Sequence, residues 1–169
     1  DYPGVITAKS GKIKKIAAAE NFIIDGHRPG IKGKDLNAYI ASGIKTEHEC
    51  STADEMIEKL RLGMYILIRE GSAAKNLKEL IKCVNRENSR RCLFCTDDKH
   101  PEDIMKGHID NNLRMAVSEG LDPVTAIQMA TLNAAECYGL KNKGAVAPGF
   151  DADLVVLEDL KEFIARQVY

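Results

Sequence analysis

The feature that most constrains this chain is a recurring alternation. Short apolar, β-prone runs at Phe22–Asp25, Ile44–His48, Met64–Ile68, Cys92–Cys95 and Asp153–Leu157 are separated by longer amphipathic stretches. Strands alternating with helices predict βαβ units and a parallel sheet, with right-handed crossovers. Met64–Ile68 is apolar at every position, the pattern of a strand covered on both faces. Helices are predicted over Lys34–Ser42, from Ser51 or Thr52 to about Leu62, over Asn76–Asn85, over Ile109–Glu119 and over Pro123–Tyr138. Ser51 or Thr52 caps the second of these, with Asp54 and Glu55 in its first turn and Gly63 as its stop. Leu77, Leu80, Ile81 and Val84 form one apolar stripe on the third. At 169 residues there is room for one domain.

Composition excludes several function classes. The formal charge is -1, which leaves no electrostatic footprint for nucleic acid or an anionic membrane. No apolar run approaches the length of about 18 residues that a membrane helix needs. The first ten residues carry neither a basic region nor an apolar one, so no signal peptide is expected, and the absence of an initial Met suggests that chain is missing upstream. Five cysteines, an odd number, argue against a disulfide framework and for the reducing cytoplasm. Cys92 and Cys95 have C-x-x-C spacing without a second pair. Inside an apolar run they read as buried strand cysteines.

Polar residues follow each predicted strand at once. They are Asp25-Gly26-His27, Thr46-Glu47-His48-Glu49, Arg69-Glu70-Gly71-Ser72 and Thr96-Asp97-Asp98-Lys99-His100. Parallel strands bring all four sets to one edge of the sheet, the C-terminal edge, where parallel α/β folds place their sites. Two histidines and an aspartate from successive strands suit zinc, manganese or iron. A single histidine after a strand can equally be a plain loop residue. Glu47 and Glu49 can serve in catalysis or be exposed loop charges. Arg69 can bind substrate or pair with an acid. Asp98 reads as a turn cap, and His100 and His108 as surface or supporting residues.

The run from Asp25 to Tyr39, DGHRPGIKGKDLNAY, resembles the segment after barrel strand five of bacterial adenine deaminases. Thr46–Glu49 is similar to their strand-six motif, Ile68–Asn76 to strand seven and its loop, and Cys95–Asp98 to strand eight. The tail Gly144–Val156 resembles the return of the wider amidohydrolase superfamily to a small β-sandwich. The resemblance implies a partial (β/α)8 TIM-type barrel, strands five to eight with their helices, over residues 1–143, and the start of the β-sandwich over residues 144–169. It implies metal ligation by His27, His48 and Asp97. The divalent ion would be manganese or iron, with zinc compatible, and the complete enzyme would hold one or two.

The implied reaction hydrolyses adenine to hypoxanthine and ammonia. Metal lowers the pKa of an attacking water, and Asp97 takes its proton and passes it to the leaving amine. Glu49 or Glu47 would donate near N1 of the ring, and His48 would help to polarise it. Arg69 and Glu47 would contact substrate. A full barrel needs about 250 residues. The family's strand-one His-x-His pair is absent here, and its strand-four glutamate would precede Asp1. The chain alone is therefore expected to hold metal weakly and to turn over nothing, and the complete enzyme is expected to be a homo-oligomer. A cyclic-amide hydrolase, a deaminase of another heterocycle, and a non-catalytic α/β module are the competing readings.

Overall fold

The computed structural model describes residues 2–169. Asp1, the first residue of the expected barrel segment, lies outside the described residues. Strands β1 (Ile24–Gly26), β2 (Ile44–Glu47), β3 (Tyr65–Arg69) and β4 (Cys92–Cys95) form one sheet in that order, every pair parallel. Helices α1 (Tyr2–Ile6) and α2 (Ser10–Ala18) precede the sheet. Helix α3 (Gly33–Ala41) joins β1 to β2, α4 (Ala53–Arg61) joins β2 to β3, and α5 (Leu77–Leu80) lies between β3 and β4. After β4 come α6 (Pro101–Ile104), α7 (Ile109–Ser118), α8 (Pro123–Ala130) and α9 (Leu132–Tyr138). The chain ends in an antiparallel hairpin of β5 (Val155–Leu157) and β6 (Ala165–Val168).

Burial follows the period of the strands. Ile66 and Ile68 of β3 join the main core, which packs Leu36 and Tyr39 of α3, Met56 of α4, Leu77 and Leu80 of α5 and Met129 of α8 against the sheet. Leu67 points the other way, into a smaller cluster with Leu93 and Cys137. Both faces of β3 are thus covered, as its unbroken apolar run predicts. Cys92 lies in the main core and Cys95 beside the smaller cluster. Residues three apart on a strand face opposite sides, so this C-x-x-C presents no joint pair. Burial pushes both thiols up to about 12, which makes them inert apolar filling.

Three departures from the sequence reading have local causes. The first strand runs over Ile24–Gly26 rather than from Phe22, which is exposed. The helix expected over Asn76–Asn85 stops at Leu80, tightens into a 3-10 turn over Ile81–Cys83, and gives way to extended backbone at Val84. The helix expected over Pro123–Tyr138 breaks at Thr131, whose hydroxyl donates to the Ile127 carbonyl at 2.7 Å. The break has a packing consequence: Ala126 and Met129 of α8 enter the main core, whereas Cys137 and Ala134 of α9 reach the cluster on the other face.

Candidate metal centre

The loop after β1 begins at Gly26, where no side chain fits. A Cβ there would stand 2.5 Å from the Thr46 carbonyl oxygen and 3.2 Å from the Tyr39 hydroxyl. That same hydroxyl accepts the His27 amide at 3.1 Å. The close approach of β1 to β2 therefore sets where His27 leaves the sheet.

The loop after β2 is shaped by a carboxylate. Glu47, fully buried, takes the amides of His48 at 3.1 Å and Glu49 at 2.9 Å on Oε1, and the Arg28 amide at 3.2 Å on Oε2. Glu47, expected from the sequence as a substrate contact or an exposed loop charge, lies beneath the loops with both of its oxygens hydrogen-bonded. Lys59 of α4, also fully buried, donates to Glu47 Oε2 at 3.0 Å, Glu55 Oε1 at 2.7 Å and the Arg28 carbonyl at 3.1 Å. Glu55 takes the amides of Gly30 at 2.7 Å and Ser51 at 3.3 Å. Burial opposes charge on both groups. Even so, the ammonium and amide bonds hold the Glu55 carboxyl below its ordinary range, and the surrounding negative charge holds Lys59 above its own.

On this foundation three donor side chains converge. His27, His48 and Glu49 place one ligand atom each within 4.8 Å of one another. Glu49 Oε1 lies 3.7 Å from His27 Nδ1 and 3.6 Å from His48 Nε2. Two donors at about 2.1 Å from one ion stand at most about 4.2 Å apart, and both contacts of Glu49 Oε1 fall within that limit. His48 is already oriented. Its Nδ1 lies 3.0 Å from Asp25 Oδ2, and the Thr46 hydroxyl donates to Asp25 Oδ1 at 2.5 Å. A carboxylate on one ring nitrogen leaves the other as an aimed lone pair, the usual support of a metal-ligating histidine. The bond to Asp25 raises the pKa of His48; burial works against ionised Asp25, but the bonds from His48 and Thr46 outweigh it and lower the Asp25 pKa. Two imidazoles and a carboxylate fit a divalent ion such as zinc, manganese or iron.

Arg69, at the end of β3, is buried. Its Nη1 bridges Glu49 Oε1 and, at 2.8 Å, Asp97 Oδ2; its Nη2 lies 3.4 Å from Asn76 Oδ1. Of the two alternatives weighed for Arg69, the structure displays the acid pair. Asp97 therefore sits one guanidinium away from the converging donors rather than among them. Three carboxyl side chains (Asp25, Glu49 and Asp97) surround the two imidazoles and one guanidinium, an acidic setting that suits a divalent cation. Asp97 has left-handed backbone, φ 54°. The loop after β3 holds it there: Gly71 packs against the Thr96 carbonyl, the Ser72 amide donates to the Asp98 carbonyl at 2.7 Å, and the Ala73 amide donates to Asp98 Oδ2 at 3.1 Å. Asp98, expected to cap a turn, instead ties two loops together. His100 and His108 are exposed, and the Nε2 of His108 lies 3.5 Å from the Thr96 hydroxyl.

The sequence model described as the amidohydrolase family matches residues 9–168. The chain belongs to the amidohydrolase family. Among curated relatives, this amidohydrolase chain is 54% identical to the adenine deaminase of Nitratidesulfovibrio vulgaris (strain Hildenborough) and 56% identical to that of Clostridium acetobutylicum. The alignments take in 100% and 99% of the chain and 30% of each relative, so the chain spans about a third of the length of the curated relatives it matches. Among solved structures, the β-aspartyl dipeptidase of Fervidobacterium islandicum AW-1 superposes with a TM-score of 0.60 at 18% identity, over 83% of this chain and 44% of that one. That likeness bears on fold alone. No described helix is long and apolar enough to cross a membrane.

Proposed function

We propose that this chain supplies part of the catalytic barrel of a metal-dependent adenine deaminase. The observation that carries the reading is the convergence of His27, His48 and Glu49 at the strand ends, with His48 oriented by Asp25. The relatives above supply the substrate, adenine. In this reading β1 to β4 are barrel strands five to eight over residues 1–143, and residues 144–169 open the β-sandwich. His27 and His48 hold the ion, manganese or iron before zinc, with Glu49 at its rim and Asp97 close by. The ion, when bound, lowers the pKa of the attacking water.

The chain's own residues do the rest. Water adds to C6 of adenine, the C6–N bond breaks, and hypoxanthine and ammonia leave. Asp97 accepts the proton of the water and returns it to the amine. Arg69 holds the Asp97 and Glu49 side chains side by side, so that Asp97 faces the water while Glu49, in its protonated form, donates to the ring nitrogen. The Thr46–Asp25–His48 chain keeps the Nε2 of His48 directed at the reaction centre. We place the complete enzyme in the cytoplasm as a homo-oligomer.

The test is adenine-dependent ammonia release with added Mn2+ from the full-length protein that contains this chain. Release is expected, with Asp97→Asn lowering kcat by at least 100-fold. Absence of ammonia, or an Asp97→Asn variant of wild-type rate, overturns the reading.

A further inference from the structure

We propose that Lys59 is a positioning residue for the centre at His27, His48 and Glu49; the proposal rests on the metal reading above. An ammonium has three donors, and each finds an acceptor: the Arg28 carbonyl at 3.1 Å, Glu47 Oε2 at 3.0 Å and Glu55 Oε1 at 2.7 Å. Each acceptor is joined to a loop that carries a metal-competent side chain. Arg28 follows His27 in the chain. Glu47 holds the amides of His48 and Glu49, together with that of Arg28. Glu55 holds the amides of Gly30 and Ser51. One buried nitrogen on α4 thus fixes the loop after β1 relative to the loop after β2, and no other described side chain bonds to all three.

Stability alone does not account for this arrangement. A buried ion cluster is often no more stabilising than apolar residues of equal volume, and its best-attested use is to fix a register. Two loops carrying ligands of one ion need such a fix, because a site about 1 Å too loose binds poorly.

The experiment uses metal-depleted full-length protein titrated with Co2+, followed by visible absorption and calorimetry. The variants are Lys59→Met, the double variant Lys59→Met/Glu55→Gln, and His48→Ala. The double variant guards against misfolding, because Glu47 keeps three amide donors when the ammonium is gone. Near-UV circular dichroism confirms the fold at the titration temperature. Wild type is expected to bind Co2+, and His48→Ala to lose binding. The folded Lys59 variants should bind about 10- to 100-fold more weakly, with a shifted absorption band, as supporting-shell changes do. A merely structural role would lower the melting temperature but leave the affinity and band of the folded protein unchanged. That result, with His48→Ala inactive in binding, overturns the role of Lys59 alone. Wild-type binding by His48→Ala, or none by the wild type, removes the metal reading and the proposal with it.

Discussion

Replacing Glu55 by Gln removes one charge from beneath the candidate centre and little else. The carboxylate is 3% exposed and takes three bonds: the ammonium of Lys59 and the Gly30 amide, each at 2.7 Å, and the Ser51 amide at 3.3 Å. Gln keeps one oxygen at the Oε1 position for both Gly30 and Lys59, so what is lost is the negative charge facing the ammonium, together with the Oε2 acceptor of the Ser51 amide. Breaking a buried ion pair from one side costs about 3–5 kcal/mol. Lys59 retains Glu47 and the Arg28 carbonyl, which puts Glu55→Gln at the lower end, about 3 kcal/mol. In a chain of this size that corresponds to a fall in Tm of roughly 6–12 °C.

The pH dependence tests the cause. Glu55 titrates below its ordinary value of 4.5 in the folded chain. Its contribution is therefore fully present above about pH 4.5 and is lost as pH falls through the lowered value. Lys59 titrates above its ordinary 10.5, so its share is present below that pH and is lost as pH rises through the raised value. Urea unfolding of wild type and Glu55→Gln, in chelator, should show a gap that is flat from about pH 5 to 10 and narrows in acid. A gap under about 0.5 kcal/mol at pH 7 would refute the reasoning. So would one that persists unchanged at pH 3.5, since the loss would then be one of shape and not of charge.

The parallel sheet and the edge that carries the site were legible because they depend on local pattern. Ile66, Leu67 and Ile68 announce a doubly covered strand, and Thr52, whose hydroxyl takes the Glu55 amide at 3.4 Å, announces the start of α4. The layer beneath the site was not legible. Glu55 and Lys59 are four apart on a helix, which by itself reads as a solvent-exposed pair. Only the arrival of Gly30 and Arg28, 25 and 31 residues away in the chain, buries them. The burial of Glu47 was equally hidden, because that residue stands in the chain beside His48, which does face the site. Its carboxylate turns back under the loop because the His48 and Glu49 amides and Lys59 all need an acceptor there. Asp97 was found by resemblance, but its left-handed backbone depends on Gly71, 26 positions earlier, and no local signal carries that. The centre thus divides in two: donor residues that motifs reveal, and a buried polar frame that only tertiary contact creates.

Gly71→Ala tests the frame on the β4 side. A Cβ at Gly71 would stand 2.4 Å from the Thr96 carbonyl and 2.7 Å from Asp98 Oδ1, so the variant should lose about 1–3 kcal/mol in urea unfolding; wild-type stability would show that the loops do not meet. Asp25→Asn tests the β1 side, and here fold and function should separate. The amide oxygen can still accept from His48 Nδ1, while the amide nitrogen can donate to a rotated Thr46 hydroxyl, so folding should change by less than about 1 kcal/mol. The carboxylate charge is nevertheless gone. A neutral amide supports the Nδ1–H tautomer less strongly and leaves the Nε2 of His48 less basic. Affinity for Mn2+, read by calorimetry on the full-length protein, should fall about 10- to 100-fold. Equal affinity in a folded Asp25→Asn variant would mean that His48 is not presented to the ion through Asp25. The bond between Asp25 and His48 at 3.0 Å would then be an ordinary loop contact, and the orientation argument for His48 as a ligand would fall.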